Sequence, residues 1–221
     1  MSEHHIRRRR GRQAEAERND ILVLEAAREV FSVHGADASV ALVAKRAGVG
    51  MGSLYRRYGS KTQLLQRLCI LAMEQAIDAA NAALASEDAW TGLADYVRTS
   101  VAAGSGALAP LAGTIETTPH MWEISRRGRE LLDAVVARAH REGGLRPDVT
   151  SLDIVWLIEQ FGRRAAARPG AQDENVRLRL LAIALAGLRA RDAEPLPGTP
   201  PTVQHYEGRW RYSGAARPGS D

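Results

Sequence analysis

The sequence predicts an all-α protein: an N-terminal three-helix domain containing a helix-turn-helix, followed by a larger C-terminal helical domain. Three observations carry this. Apolar residues recur at helical spacing along most of the chain, glycines and prolines punctuate them, and no segment alternates as a strand would. Residues 38–73 hold six basic side chains (Lys45, Arg46, Arg56, Arg57, Lys61 and Arg67) and no Asp or Glu. Within that stretch the run from Ser39 to Tyr55 reads as two short helices joined at Gly48, a helix-turn-helix signature.

Taken in order, residues 1–14 are polar and Arg-rich without apolar periodicity, and are expected to form a flexible basic arm. Helix begins near Glu15, with Val23, Ala27, Val30, Phe31 and His34 at helical spacing and Gly35 where a left-handed residue ends it. Ser39 is a natural N-cap for a second helix over Val40 to Ala47, with Val40, Val43, Ala44 and Ala47 facing inward. A third runs from about Gly50 to Tyr58, where Leu54 and Tyr58, four apart, point to the core. Gly59 ends it, Ser60 caps the next, and Leu64, Leu65, Leu68, Leu71, Ala72 and Ile77 carry a long fourth helix into the body. Beyond Ala85 helix-period segments lie between Gly104, Pro110, Pro119, Gly143 and Pro169, the last two expected over about Ser151 to Ala167 and Asp173 to Arg191. The Pro-rich run after Arg191 predicts a flexible tail over 192–221. The expected division is therefore an arm over 1–14, a helix-turn-helix head over 15–60, a helical body over 61–191, and the tail.

The chain has 221 residues, 45% of them apolar, enough for one or two cores, and no apolar run near the roughly 20 residues of a membrane span. With no apolar segment behind Arg7 to Arg10, a secretory signal is not expected, and a cytoplasmic address follows. The single cysteine, Cys69, excludes an internal disulfide and reads as a small core residue. Charge is asymmetric: residues 1–68 carry 13 Lys and Arg against 7 Asp and Glu, and residues 69–221 carry 17 against 19. A basic head on a mildly acidic body suits a polyanionic partner at the head alone.

These residues resemble the tetracycline-repressor (TetR) family of bacterial transcriptional regulators. The resemblance rests on Val23-Leu-Glu-Ala-Ala27, Val30-Phe31, His34-Gly35, Ser39-Val40, Val43-Ala44, Ala47-Gly48-Val49, Gly52-Ser-Leu-Tyr55, Tyr58 and Ser60-Lys61, and covers about residues 17–66. It implies a helical body that holds a ligand pocket and dimerises through its last two helices. Two positions depart from the family pattern: Gly50 stands where Ser or Thr is usual, and Tyr58 where Phe is usual.

In a helix-turn-helix the second helix presents its N-terminal side chains to base edges while nearby donors hold the phosphates. Here that leaves Met51, Gly52, Ser53, Tyr55, Arg56 and Arg57 toward the groove or its walls. Ser53 and Arg56 are the candidates for polar base contacts, Met51 for a thymine methyl, and Gly52 for close backbone approach. The resemblance implies phosphate contacts from Tyr55 and Lys61, joined by Ser39 and Thr62. Arg8 and Arg10, with Arg7, Arg9 and Arg12, form an arm of the kind that enters a minor groove, or else a solvated tail.

In the body, Met73, Trp90, Tyr96, Ile115, Glu116, His120, Met121, Trp122, Trp156 and Phe161 are the candidate pocket residues, each with plain core packing as its alternative. Arg126, Arg127 and Arg129 read as a solvated face. No metal site or cofactor is expected, because no Cys or second His stands at ligand spacing beside Glu116, His120 and Glu123. Val155, Trp156, Val176, Leu180, Ala184 and Leu188 are the candidate dimer interface. The leading expectation is a homodimeric repressor released from a palindromic operator in double-stranded DNA by a small-molecule effector, with no membrane partner. Two alternatives stand beside it: a DNA-binding regulator without a pocket that answers to a protein partner, and a helical enzyme. The enzyme reading lacks a metal-binding His pair, a phosphate loop and a nucleophile-base set.

Overall fold

The computed structural model describes residues 20–162, 170–189 and 194–211, and among them every regular element is helical. The arm, with Arg8 and Arg10, lies outside the described residues, as does the expected end of the seventh helix beyond Gly162. Helix α1 covers 20–34 and buries Val23, Ala26, Ala27, Val30 and Phe31 on one face. A 3-10 turn at Gly35–Asp37 leads to α2, Val40–Ala47, and then α3, Met51–Tyr58, follows. The caps are those the sequence named. The Leu42 N–H donates to Ser39 Oγ at 3.2 Å, and the Gln63 N–H to Ser60 Oγ at 3.1 Å.

Helix α4, Lys61–Ala85, is the axis of the molecule. It begins in the head, where Leu64, Leu65 and Leu68 join Phe31, Val43 and Leu54 in one core, each large side chain contributing about 1.5–3 kcal/mol by burial. Its distal half packs on α5, Ala89–Ala102, and α6, Pro119–Arg141, in a second core completed by α7, Ser151–Gly162, and by Leu181 and Leu185 of α8, Ala171–Leu188. By length and mean hydropathy alone α4 passes for a membrane span, although Arg67, Glu74 and Asp78 interrupt its apolar residues. Here its apolar residues are spent on the two cores instead.

The head core is closed from the body side. Leu108 and Leu111, from a 3-10 segment at Ser105–Leu111, and Ile115 and Met121 belong to the same apolar cluster as α1 to α3. Polar ties cross the same seam: Arg28 donates to the Ala103 carbonyl, and Gln66 Nε2 to the Glu116 carbonyl at 2.8 Å.

The expected flexible tail differs from what is found. Residues Val203–Trp210 form α9, capped by Thr202 Oγ1, which accepts from the His205 N–H at 3.2 Å. Its lead-in is held by Arg146, which donates to the Glu194 carbonyl, and by Asp148, which accepts from the Leu196 N–H. Arg146 and this N–H hold the Asp148 carboxyl down to about 2. A short amphipathic turn with Tyr206 and Trp210 four apart was hidden behind the Pro-rich run that precedes it.

Candidate nucleic-acid interface and body cavity

The turn between α2 and α3 is made by Gly48, at φ 68° and ψ 27°, which only a residue without Cβ enters at little cost. Its N–H and that of Val49 satisfy the last carbonyls of α2. Leu54 and Tyr58 anchor α3 inward, so Met51, Gly52, Ser53, Tyr55, Arg56 and Arg57 share its exposed side. Thr62 is exposed beside it and Lys61 half-exposed, both in the first turn of α4. Arg56 Nη2 donates to Ser53 Oγ at 3.0 Å, pairing the two side chains expected to meet bases.

Arg57 and Tyr58 do something the sequence reading did not foresee. Both donate to the Asp20 carboxylate of α1, Arg57 through Nε at 2.5 Å and Tyr58 through its hydroxyl. Burial pushes the Asp20 carboxyl up, but the hydrogen bonds from Arg57 and Tyr58 outweigh it, so the net shift is downward. Burial and the same carboxylate push the Tyr58 phenol well above its ordinary value, so it stays a donor. Arg57 therefore belongs first to the α1–α3 contact. The hydroxyl that distinguishes Tyr58 from Phe has an internal partner.

The body holds a partly open cavity of about 180 Å³ between α4, α5, α6, α7 and α9. Of the ten expected pocket residues it is lined by Met73, Tyr96, Met121 and Trp122. Ile115 is buried in the head core, and Trp90 sits under the Arg189 guanidinium, 5.1 Å from its ring centroid. Phe161 packs on the body core, and Trp156 is covered by α9. Glu116 and His120 are exposed, because α6 starts at Pro119 and Glu116 falls outside the helix. Among the described residues no cluster of His, Cys, Asp or Glu is fit to hold a metal.

Among the lining residues that were missed are Arg129, Glu159, Tyr206 and Trp210. Arg129, expected on a solvated face, pairs with Glu207 at 3.0 Å. Glu159 lies in α7 with 7% of its side chain exposed and takes Arg209 Nη1 at 2.9 Å. A lone Glu within the apolar run Ile154-Val-Trp-Leu-Ile-Glu159 was the available signal. Burial pushes the Tyr96 and Tyr206 phenols and the Cys69 thiol each up to about 12.

On α8, Leu181 and Leu185 turn inward. This rotates the outward stripe to Val176, Leu180 and Ile183, which are 49%, 50% and 58% exposed. Ala184 and Leu188 are half-buried on its flank, and Val155 lines the cavity, so only Val176 and Leu180 of the six expected interface residues stand free.

A glycine-turned helix-turn-helix with a basic outer face, rooted through one long helix in a cavity-bearing body, defines a DNA-binding transcriptional regulator. A family model described as bacterial regulatory proteins, tetR family, matches residues 23–68, and one described as transcriptional regulator SbtR-like, C-terminal domain, matches residues 85–190. The chain belongs to the TetR family. No curated protein matches it. Among solved structures, the TetR transcriptional regulator SCO0520 from Streptomyces coelicolor is 26% identical at a TM-score of 0.55, covering 79% of this chain and 99% of that one. A TetR transcription regulatory protein from Mycobacterium vanbaalenii is 25% identical at 0.55, with 80% and 99% covered. The ketosteroid transcriptional regulator KstR2 of Mycobacterium tuberculosis, 22% identical at 0.55 with 79% and 96% covered, shares the fold.

Proposed function

We propose that the chain acts in the cytoplasm as a homodimeric repressor that leaves a palindromic operator when a small molecule fills the body cavity. The observation that carries this is the continuity of α4. Its first turn holds Lys61 and Thr62 at the outer face of the head, and farther along the same helix Cys69, Ala72, Met73 and Ala76 form a wall of the cavity. A ligand that prefers one packing of that wall biases where the head points, through its differential affinity for the two arrangements.

In this reading residues 15–60 are the DNA-binding unit and 61–191 the regulatory and dimerising one. Ser53 and Arg56 meet base edges, Met51 a thymine methyl, and Tyr55, Lys61, Thr62 and Ser39 the phosphates that set register. Gly50 and Gly52 support close approach from outside, since beyond the adjoining backbone nothing lies within 4 Å of where a Cβ would stand on either. The apolar stripe on α8 supports a symmetric pairing that presents two recognition helices to two half-sites. The cavity favours this over a regulator that lacks a pocket.

The test is selection of the purified protein on randomised duplex DNA at near-physiological salt. An enriched palindrome is the expected result and supplies the probe for effectors that release it. Retention that is salt-sensitive but without sequence enrichment would overturn the operator reading.

A further inference from the structure

Helix α9 lies beyond the residue range of the C-terminal family match, yet it completes the cavity. Tyr206 and Trp210 line it, and Trp210 also packs on the head core. Two ion pairs of opposite sense hold it down, Arg209 to Glu159 and Glu207 to Arg129. The first is the telling one. A carboxylate as buried as Glu159 is unstable without a cation, and its cation comes from α9. The Arg209 guanidinium carbon also lies 4.1 Å from the Trp156 ring centroid. A carboxylate beside an aromatic face is the chemistry that holds an organic cation.

The docking is incomplete. The buried indole N–H groups of Trp156 and Trp210 have no protein acceptor, which lowers the cost of lifting the helix. The strap stays tethered when the helix leaves, because Asp148 and Arg146 grip its start at Leu196 and Glu194. Tethering keeps it at high effective concentration over its own site.

We propose that α9 is a tethered occupant at the wall of the cavity, and that the effector carries an organic cation which replaces Arg209 between Glu159 and Trp156. This rests on reading the cavity as the effector site. Effector entry and release of Trp210 from the head core then become one event, which couples ligand to head.

Cys69, the only cysteine, lines the cavity and reports on it without any ligand. N-ethylmaleimide should label it slowly in the full-length protein and roughly tenfold faster in Arg209→Ala, beyond any increase that the accompanying fall in urea midpoint predicts for global unfolding. Glu207→Arg should likewise speed labelling, and the swapped pair Arg129→Glu with Glu207→Arg should slow it again. In Arg209→Ala a cationic methanethiosulfonate should outpace an anionic one beyond their ratio on free cysteine, and adding Glu159→Gln should erase the excess. Labelling that ignores Arg209→Ala, or that rises only as the urea midpoint falls, would make α9 a fixed part of the fold and overturn the proposal. Absence of the charge preference would overturn the cation. None of these readouts involves DNA, so a failure of operator selection is distinguishable from a failure here.

Discussion

Asp20 ties the two outer helices of the head. Its carboxyl is held low by Arg57 and Tyr58, so the stability it lends is present above the ordinary carboxylate value near 3.9 and is lost as pH falls through its depressed value. Asp20→Asn should therefore lower the thermal midpoint at pH 7, and the gap to the parent protein should close as pH drops below about 4. A gap independent of pH would mean that the ion pair is not its source. On the outer face, Tyr55→Phe or Lys61→Ala should weaken binding to all DNA sequences, Lys61→Ala also reducing the salt slope by about one, whereas Arg56→Ala should also relax base preference. Filter-binding titrations against the selected operator and scrambled duplex separate these outcomes. Side-chain roles at this scale were only partly legible. That Met51, Ser53, Tyr55 and Arg56 face outward followed from helical spacing around Leu54 and Tyr58. The partner of the Tyr58 hydroxyl lies 38 residues away, a separation that no local pattern encodes.

Between elements, the joints are set by caps and by glycines. Ser39→Ala and Ser60→Ala each remove an acceptor for a helix-starting N–H and should cost about 1 kcal/mol in denaturant melts. A tighter joint is the crossing of the Ser105–Leu111 segment over α7. A Cβ on Gly106 would stand 2.6 Å from the Glu159 Cα and the Ile158 carbonyl, and one on Gly162 would stand 2.7 Å from the Gly106 Cα. Backbone meets backbone there, so Gly106→Ala should destabilise by at least about 1–3 kcal/mol, and a neutral melt would refute the close crossing. The second to fourth helices were readable because Ser, Gly and apolar period agree at each boundary. The ninth was not, since it is only eight residues long and follows a run of prolines that reads as a tail. The cavity wall depended on that helix, which is why Arg129 was misjudged and Glu159 overlooked: their partners stand at Glu207 and Arg209.

For the molecule as a whole, the proposed dimer rests on the exposed α8 stripe. Leu180→Glu or Ile183→Glu puts a charge on an already exposed position, so the monomer should keep its melting temperature while sedimentation shifts from dimer to monomer and operator affinity falls. Persistence of the dimer would move the interface elsewhere. The all-helical architecture and the polarity of head and body were plain in the sequence, because composition and charge change together near residue 68. The rotation of α8 was not, as it depends on which leucines the body core accepts. One arrangement has an optical corollary. All four tryptophans lie in the body, with Trp122 and Trp210 at the cavity and Trp156 beneath α9, and the head has none. Intrinsic emission therefore reports mainly on the body: its colour and quenching follow what enters the cavity and where α9 sits, while DNA docking at the head registers through Trp210, the one indole that packs on the head core.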